Sequence, residues 1–412
     1  MAQASSFFSF SLRSAATFLL AALTACGGGG SGQAPAGGIV PAANSRGAVA
    51  TQTQTPAASD TPATTIPAAN EALATTPLPA STPAQPAILA ADARFFAPKG
   101  IASDAAGNFY IADTGNKTIR KLSAAGTVST VAGMPGVAGT ADGIATTARF
   151  TEPRAITVDG SGNLYVVDAN AIRKITPAGE VSTLAGVINE AGLADRPGTA
   201  ALFSRPGGIA VDSSGTLYVT DTGNEAVRKI SASGEVSTLL RLNEDQMHSI
   251  TIRGTRIYIG GENCMWRVEL GGAGVALARI GGEPGIYDSV DGAANIRFWP
   301  LYGIATDSAG NVYAAQSFAY PHNLPPLGMI RKMTPSSNGL DFTASTIAGM
   351  PDSAGSADGN GPAAQFRMPM GITSGPNGDL YVADTNNHTI RKVTPGGDVT
   401  TVAGKAGEAG SN

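Results

Sequence analysis

The sequence predicts an all-β chain, a six-bladed β-propeller of four-stranded antiparallel blades preceded by a signal peptide and a disordered linker. Three observations carry this. The stretch from Gly208 to Leu239, GIAVDSSGTLYVTDTGNEAVRKISASGEVSTL, alternates apolar and polar side chains in four short runs, each stopped by a turn cluster. Imperfect copies of it fill the chain from about Phe95 onward, and an element ending in phenylalanine recurs between copies. A single meander cannot bury both of its faces, so copies must stack, and radial closure leaves few exposed strand edges.

In chain order, residues 1–25 read as a lipoprotein signal peptide. Arg13 and the amino terminus supply positive charge, and Ala15 to Ala25 form an apolar run too short to span a bilayer. The run closes on Leu23-Thr24-Ala25-Cys26, which resembles the lipobox of bacterial lipoproteins. That resemblance implies lipidation of Cys26 and membrane attachment. Gly27, in place of an aspartate, resembles the outer-membrane sorting pattern of diderm bacteria. The alternative is an ordinary cleaved signal with an incidental cysteine. With Cys26 lipidated, no structural disulfide between Cys26 and Cys264, the two cysteines of the sequence, is expected. Residues 26–90 are Ala, Pro, Thr, Ser and Gly with hardly a large apolar side chain, which makes them a tether. The propeller is assigned to 91–412.

Within it, the second-strand motif recurs as FYIADTGNKTIRKL from Phe109, LYVVDANAIRKI from Leu164, LYVTDTGNEAVRKI from Leu217 and LYVADTNNHTIRKV from Leu380. Weaker copies start at Arg256 and Asn311, giving six units roughly 40 to 70 residues apart. Between them run TADGIATTARFTEP, ADRPGTAALFSRP, VDGAANIRFWP and ADGNGPAAQFRMP, ending in Phe150, Phe203, Phe298 and Phe366. ADARFFAP, with Phe95, precedes the first unit, while the last residues, AGKAGEAGSN, only begin such an element. The two ends of the domain are therefore expected to meet between blades six and one. Recurrence of P-x-G-I, L-Y-V-x-D and I-R-K, and above all Asn387-His388-Thr389-Ile390-Arg391-Lys392, resembles the NHL-repeat family. The resemblance implies a propeller that serves as an interaction platform.

Composition narrows the partners. Only 14% of the residues are charged, the formal net charge is -4, and 53 glycines and 26 prolines suit turns and a linker. Without a basic excess, nucleic acid is not an expected partner. A protein, a glycan or a small anionic ligand is expected on the propeller face, with the membrane reached through Cys26 and the chain a monomer.

Second-strand aspartates Asp113, Asp168, Asp221 and Asp384 share a face with Asp142, Asp195, Asp291 and Asp358, a carboxylate rim that invites a calcium reading. Each second-strand aspartate, however, travels with a third-strand arginine (Arg120, Arg173, Arg228, Arg391), so structural ion pairs are expected and no metal or other cofactor. No phosphate loop, HExxH motif or GxSxG elbow is present, and no catalytic residue is assigned. Position x of P-x-G-I should approach the channel mouth, and there repetition breaks: Lys99, Arg154, Gly207, His248, Leu301-Tyr302 and Met370. Units four and five also lose the aspartate, and unit five gains an insertion from Gln316 to Gly328 carrying Tyr320 and His322. Lys99, Arg154, His248 and Tyr302 are therefore expected to centre a ligand-binding surface, with Tyr320 and His322 at its edge. The rival reading is a metal-dependent lyase or lactonase, which the family resemblance also allows and in which His248 and His322 would be ligands. Against it, Lys99 and Arg154 would repel a metal. Cys264 and Trp266, on the third strand of unit four, read as core.

Overall fold

The computed structural model describes residues 87–243, 245–271, 274–318 and 327–412. The signal peptide, Cys26 and nearly all of the tether lie outside them, as do Tyr320 and His322. The described chain forms six antiparallel sheets in chain order. Blade three, whose sequence is the most regular, runs Pro206–Val211, Leu217–Asp221, Ala226–Ile230 and Val236–Arg241, from the axis outward. The innermost strands of neighbouring blades touch all the way round, from Gly100–Ser103 through Pro153–Val158 to Pro369–Ser374 and back to the first. The propeller is therefore closed. Six hydrophobic cores fill the six gaps, each drawn from two adjacent blades.

The glycine of P-x-G-I exists because these inner strands meet backbone to backbone. A Cβ on Gly303 would lie 2.0 Å from the Met370 carbonyl oxygen, and one on Gly371 would lie 2.3 Å from that of Lys99. No side chain fits between them.

The other repeated residues form one cluster per blade. In blade three the buried Arg228 guanidinium donates to Asp221 at 2.8 Å, to Asp195 of the preceding connector at 2.5 Å and to the carbonyls of Leu202 and Ala194. It also lies 4.9 Å from the centre of the Phe203 ring. Arg173 and Arg391 repeat the arrangement with Asp168, Asp142 and Phe150, and with Asp384, Asp358 and Phe366. The carboxylate rim is therefore consumed internally: Asp195 also accepts from the backbone and hydroxyl of Thr238, as Asp358 does from Thr401. Burial pushes Asp113 up to about 7 and Asp384 to about 6 in spite of their arginine partners, the desolvation cost expected of a buried pair.

Connectors do a second job, reaching out to the rim before they turn in. Gly143–Ile144 and Gly359–Asn360 add a fifth strand to the outer edges of blades two and six. For blade one that strand is Ile88–Leu89, so the sheet begins ahead of the expected boundary at residue 91. The two ends of the domain meet at this seam as expected. Gly410 N–H donates to the Phe95 carbonyl, Arg94 pairs with Glu408, and the Asn412 carbonyl oxygen accepts from Arg120 where Ala141 and Ala194 serve other blades. His388 helps to close it: its Nδ1 accepts the Ala97 N–H at 3.1 Å.

Blades four and five depart from the cluster in different ways. In blade five Gln316 stands opposite Leu301, where the aspartate would be, and its Oε1 still accepts from Arg331 at 3.0 Å. In blade four the short connector sends in Asp245, which accepts from the N–H groups of Glu262, Asn263 and Cys264 and fills the space a side chain on Gly261 would need. Trp266 replaces the arginine, and Cys264 is buried beside it in the core.

Candidate functional site at the channel mouth

The inner strands enclose a cavity of about 480 Å³ along the axis, and its lining includes Lys99, Arg154, His248 and Tyr302. Gly207 and Met370 occupy the same position in blades three and six and also line it. Leu301, the inserted neighbour of Tyr302, is instead buried in the core between blades four and five. The structure thus brings four of the six anticipated ligand-binding residues to one opening.

The two cations are not bare. Glu152, two residues before Arg154, bridges them, with one carboxylate oxygen 3.1 Å from Lys99 Nζ and the other 2.6 Å from Arg154 Nη2. The hydrogen bond from Arg154, with the charge of Lys99 beyond it, holds the Glu152 carboxyl down to about 2. Across the mouth His248 Nε2 is 2.5 Å from Glu262, a residue of the turn between the second and third strands of blade four. The other Glu262 oxygen accepts from the Tyr287 hydroxyl at 3.2 Å. The bond to His248 leads the effects holding Glu262 below its usual range. The Tyr302 ring lies 5.0 Å from that of His248, and burial pushes its hydroxyl up to about 12, so it is a hydrogen-bond donor at every physiological pH.

Glu152, Arg205 and Gln246 also line the cavity and were missed from the sequence. The signal was available, because the residue just before the P-x-G-I proline also fails to repeat, reading Ala97, Glu152, Arg205, Gln246 (before Met247, which replaces the proline), Trp299 and Met368. Glu262 and Tyr287 carry no periodic signal. Among the described residues no group of three or more His, Cys, Asp and Glu could hold a metal ion. The mouth thus gathers cationic, carboxylate and amide side chains with one phenol and one imidazole, a set able to bind and orient a polar ligand.

The NHL-repeat family model matches residues 203–230 and 366–393, and that of the teneurin NHL domain matches 138–201. These matches fall on regular blades and on the connector leading into blade three of a closed six-bladed ring. The chain is an NHL-repeat β-propeller. The NHL propeller is 32% identical over 145 residues to the protein SUPPRESSOR OF QUENCHING 1, chloroplastic, of Arabidopsis thaliana, covering 32% of this chain and 14% of that protein. It is 30% identical over 127 residues to teneurin-1 of Mus musculus, covering 26% of this chain and 5% of that one. Among solved structures it resembles an auxiliary nutrient binding protein from Bacteroides thetaiotaomicron, with a TM-score of 0.55 and 15% identity over 75% of this chain and 70% of the other. At that identity the likeness is one of fold.

Proposed function

We propose that this NHL propeller is a lipid-anchored cell-envelope protein that binds a polyhydroxylated ligand, such as the end of a glycan, at the channel mouth. One observation carries the reading: an inner-strand position whose side chains do not repeat surrounds a cavity of about 480 Å³ with Lys99, Arg154, His248 and Tyr302. Positions that build the ring repeat because each blade needs the same contacts; a site needs different ones. The carboxylates Glu152 and Glu262 favour a ligand offering hydroxyls over a simple anion, since Lys99 and Arg154 already share the Glu152 counter-charge and each carboxylate retains lone pairs that accept from a hydroxyl. Anchoring rests on Leu23-Thr24-Ala25-Cys26 and on the long Ala/Pro/Thr linker after it, which would hold the domain clear of a membrane surface.

The test is a glycan array probed with the purified propeller, wild type and Arg154→Glu. Binding of a defined oligosaccharide that Arg154→Glu abolishes while the melting temperature stays put is the expected result. An array blank for the wild type, or signals indifferent to Arg154 and His248, would sink it.

A further inference from the structure

The rim of the propeller carries one strand edge that the fold leaves uncovered. Five blades have their outermost strand paired by the polypeptide that leads into the blade. On blades one, two and six this is a short strand, and on blades three and five single bridges join Pro197 to Glu235 and Gly292 to Ala344. In each case loop polypeptide lies antiparallel on the edge. Blade four cannot do this, because residues 242–246 run directly from Val236–Arg241 into its first strand, Met247–Arg253. Among the described residues no strand or bridge pairs with the outer edge of its fourth strand, Gly274–Gly282, although the Gly282 N–H at its end donates to the Ile296 carbonyl; at nine residues it is longer than the outer strand of any other blade.

The chemistry of that edge is specific. Val275, Leu277 and Arg279 stand opposite Leu270, Val268 and Trp266, so they share one face of the sheet. Inward of them that face packs into the core between blades three and four. At the edge it comes out into solvent, with Val275 40% and Leu277 43% exposed, and Arg279 holds its cation 5.8 Å from the Trp266 ring centre. Every second residue of such a strand presents an unpaired N–H and C=O outward, about four pairs over this length.

We propose that Gly274–Gly282 is a docking strand for an extended segment of a partner protein, added antiparallel with apolar side chains beside Val275 and Leu277 and an acidic one beside Arg279. The occupant follows from the molecule itself: at the five other edges the same place is taken by loop polypeptide, never by a second sheet. Edge-to-edge pairing of two propellers would bury little beyond the four side chains Val275, Leu277 and their counterparts, well short of the roughly 1,200 Å² of a specific interface. A chain segment needs only the ladder and alternate side-chain contacts.

The probe is a fluorescein-labelled heptapeptide in which glutamate, valine and valine, in that order, alternate with threonine, so that antiparallel docking sets the glutamate against Arg279. Fluorescence anisotropy should show saturable binding that Leu277→Lys weakens by at least about tenfold. Leu277 is at the surface, so Leu277→Lys should retain the wild-type melting temperature. Hydrogen exchange of amides 274–282 should slow in the complex. Three results would overturn the proposal: no binding by the wild type, equal binding of a peptide whose central residue is proline, or self-association of the propeller that Leu277→Lys abolishes. The last would assign the edge to a second copy.

Discussion

Replacing Arg228 with methionine should be among the most damaging single changes in a regular blade. Arg228 and Asp221 are both completely buried and 2.8 Å apart, and the guanidinium also donates to Asp195 and two carbonyls over the Phe203 ring. Methionine fills most of the volume but leaves the Asp221 carboxylate in the interior with only the Ser204 N–H and the Asn224 amide as donors. Removing one partner of a buried pair costs about 3–5 kcal/mol, chiefly the penalty of the stranded charge. Arg154→Met, which breaks a half-exposed pair with Glu152, should cost about 1 kcal/mol or less. Urea denaturation of the purified propeller, with equal m-values required for the comparison, measures both. Arg228→Met/Asp221→Leu should be more stable than Arg228→Met alone, because the double variant strands the Ser204 N–H but no charge. If Arg228→Met loses less than about 1 kcal/mol, or the double variant is worse than the single one, the cluster is not what holds adjacent blades together.

Three further outcomes are expected. Gly303→Ala drives a methyl against the Met370 carbonyl, a backbone atom that cannot swing aside, so a loss of about 1–3 kcal/mol is expected in the same denaturation assay, and no loss would mean the inner strands are not in contact. The Glu152 carboxyl is held at about 2 against an ordinary 4.5; with the folded value the lower one, its stabilisation is present above pH 4.5 and lost as pH falls toward 2. The melting temperature of the wild type should therefore exceed that of Glu152→Gln at neutral pH, with the gap closing on acidification; a gap that widens in acid would refute the sign. In a diderm host, Cys26→Ser should abolish incorporation of labelled palmitate and release the protein from the membrane fraction, and a variant that stays fully membrane-bound would dispose of the anchor.

The fold was readable because its motif residues all serve one cluster. The aspartate of L-Y-V-x-D, the arginine of I-R-K and the connector phenylalanine recur together, since each arginine needs all three at once. The axial residues could be found by the opposite rule, failure to repeat. What escaped did so for physical reasons. Glu262 reaches His248 from a turn, and Tyr287 reaches Glu262 from a connector, where neither strand parity nor repeat register says which way a side chain points. Asp245 stands in for an aspartate from a different strand, so an alignment that finds glycine at position 261 reports a loss where the structure shows a replacement. Position 154 announces a cation, but only distances reveal that Glu152 has already claimed it.

The contact between inner strands has a consequence for how such a ring can change its cargo. With backbones touching at Gly303 and Gly371, the bore can be neither narrowed by a larger residue there nor widened by a smaller one. Diversification is thereby channelled into the side chains just above those joints, at Lys99, Arg154, His248, Tyr302 and Met370, while Gly207 is itself held to glycine because a Cβ there would lie 2.7 Å from the His248 carbonyl oxygen. The ring behaves as a fixed gauge with five interchangeable teeth.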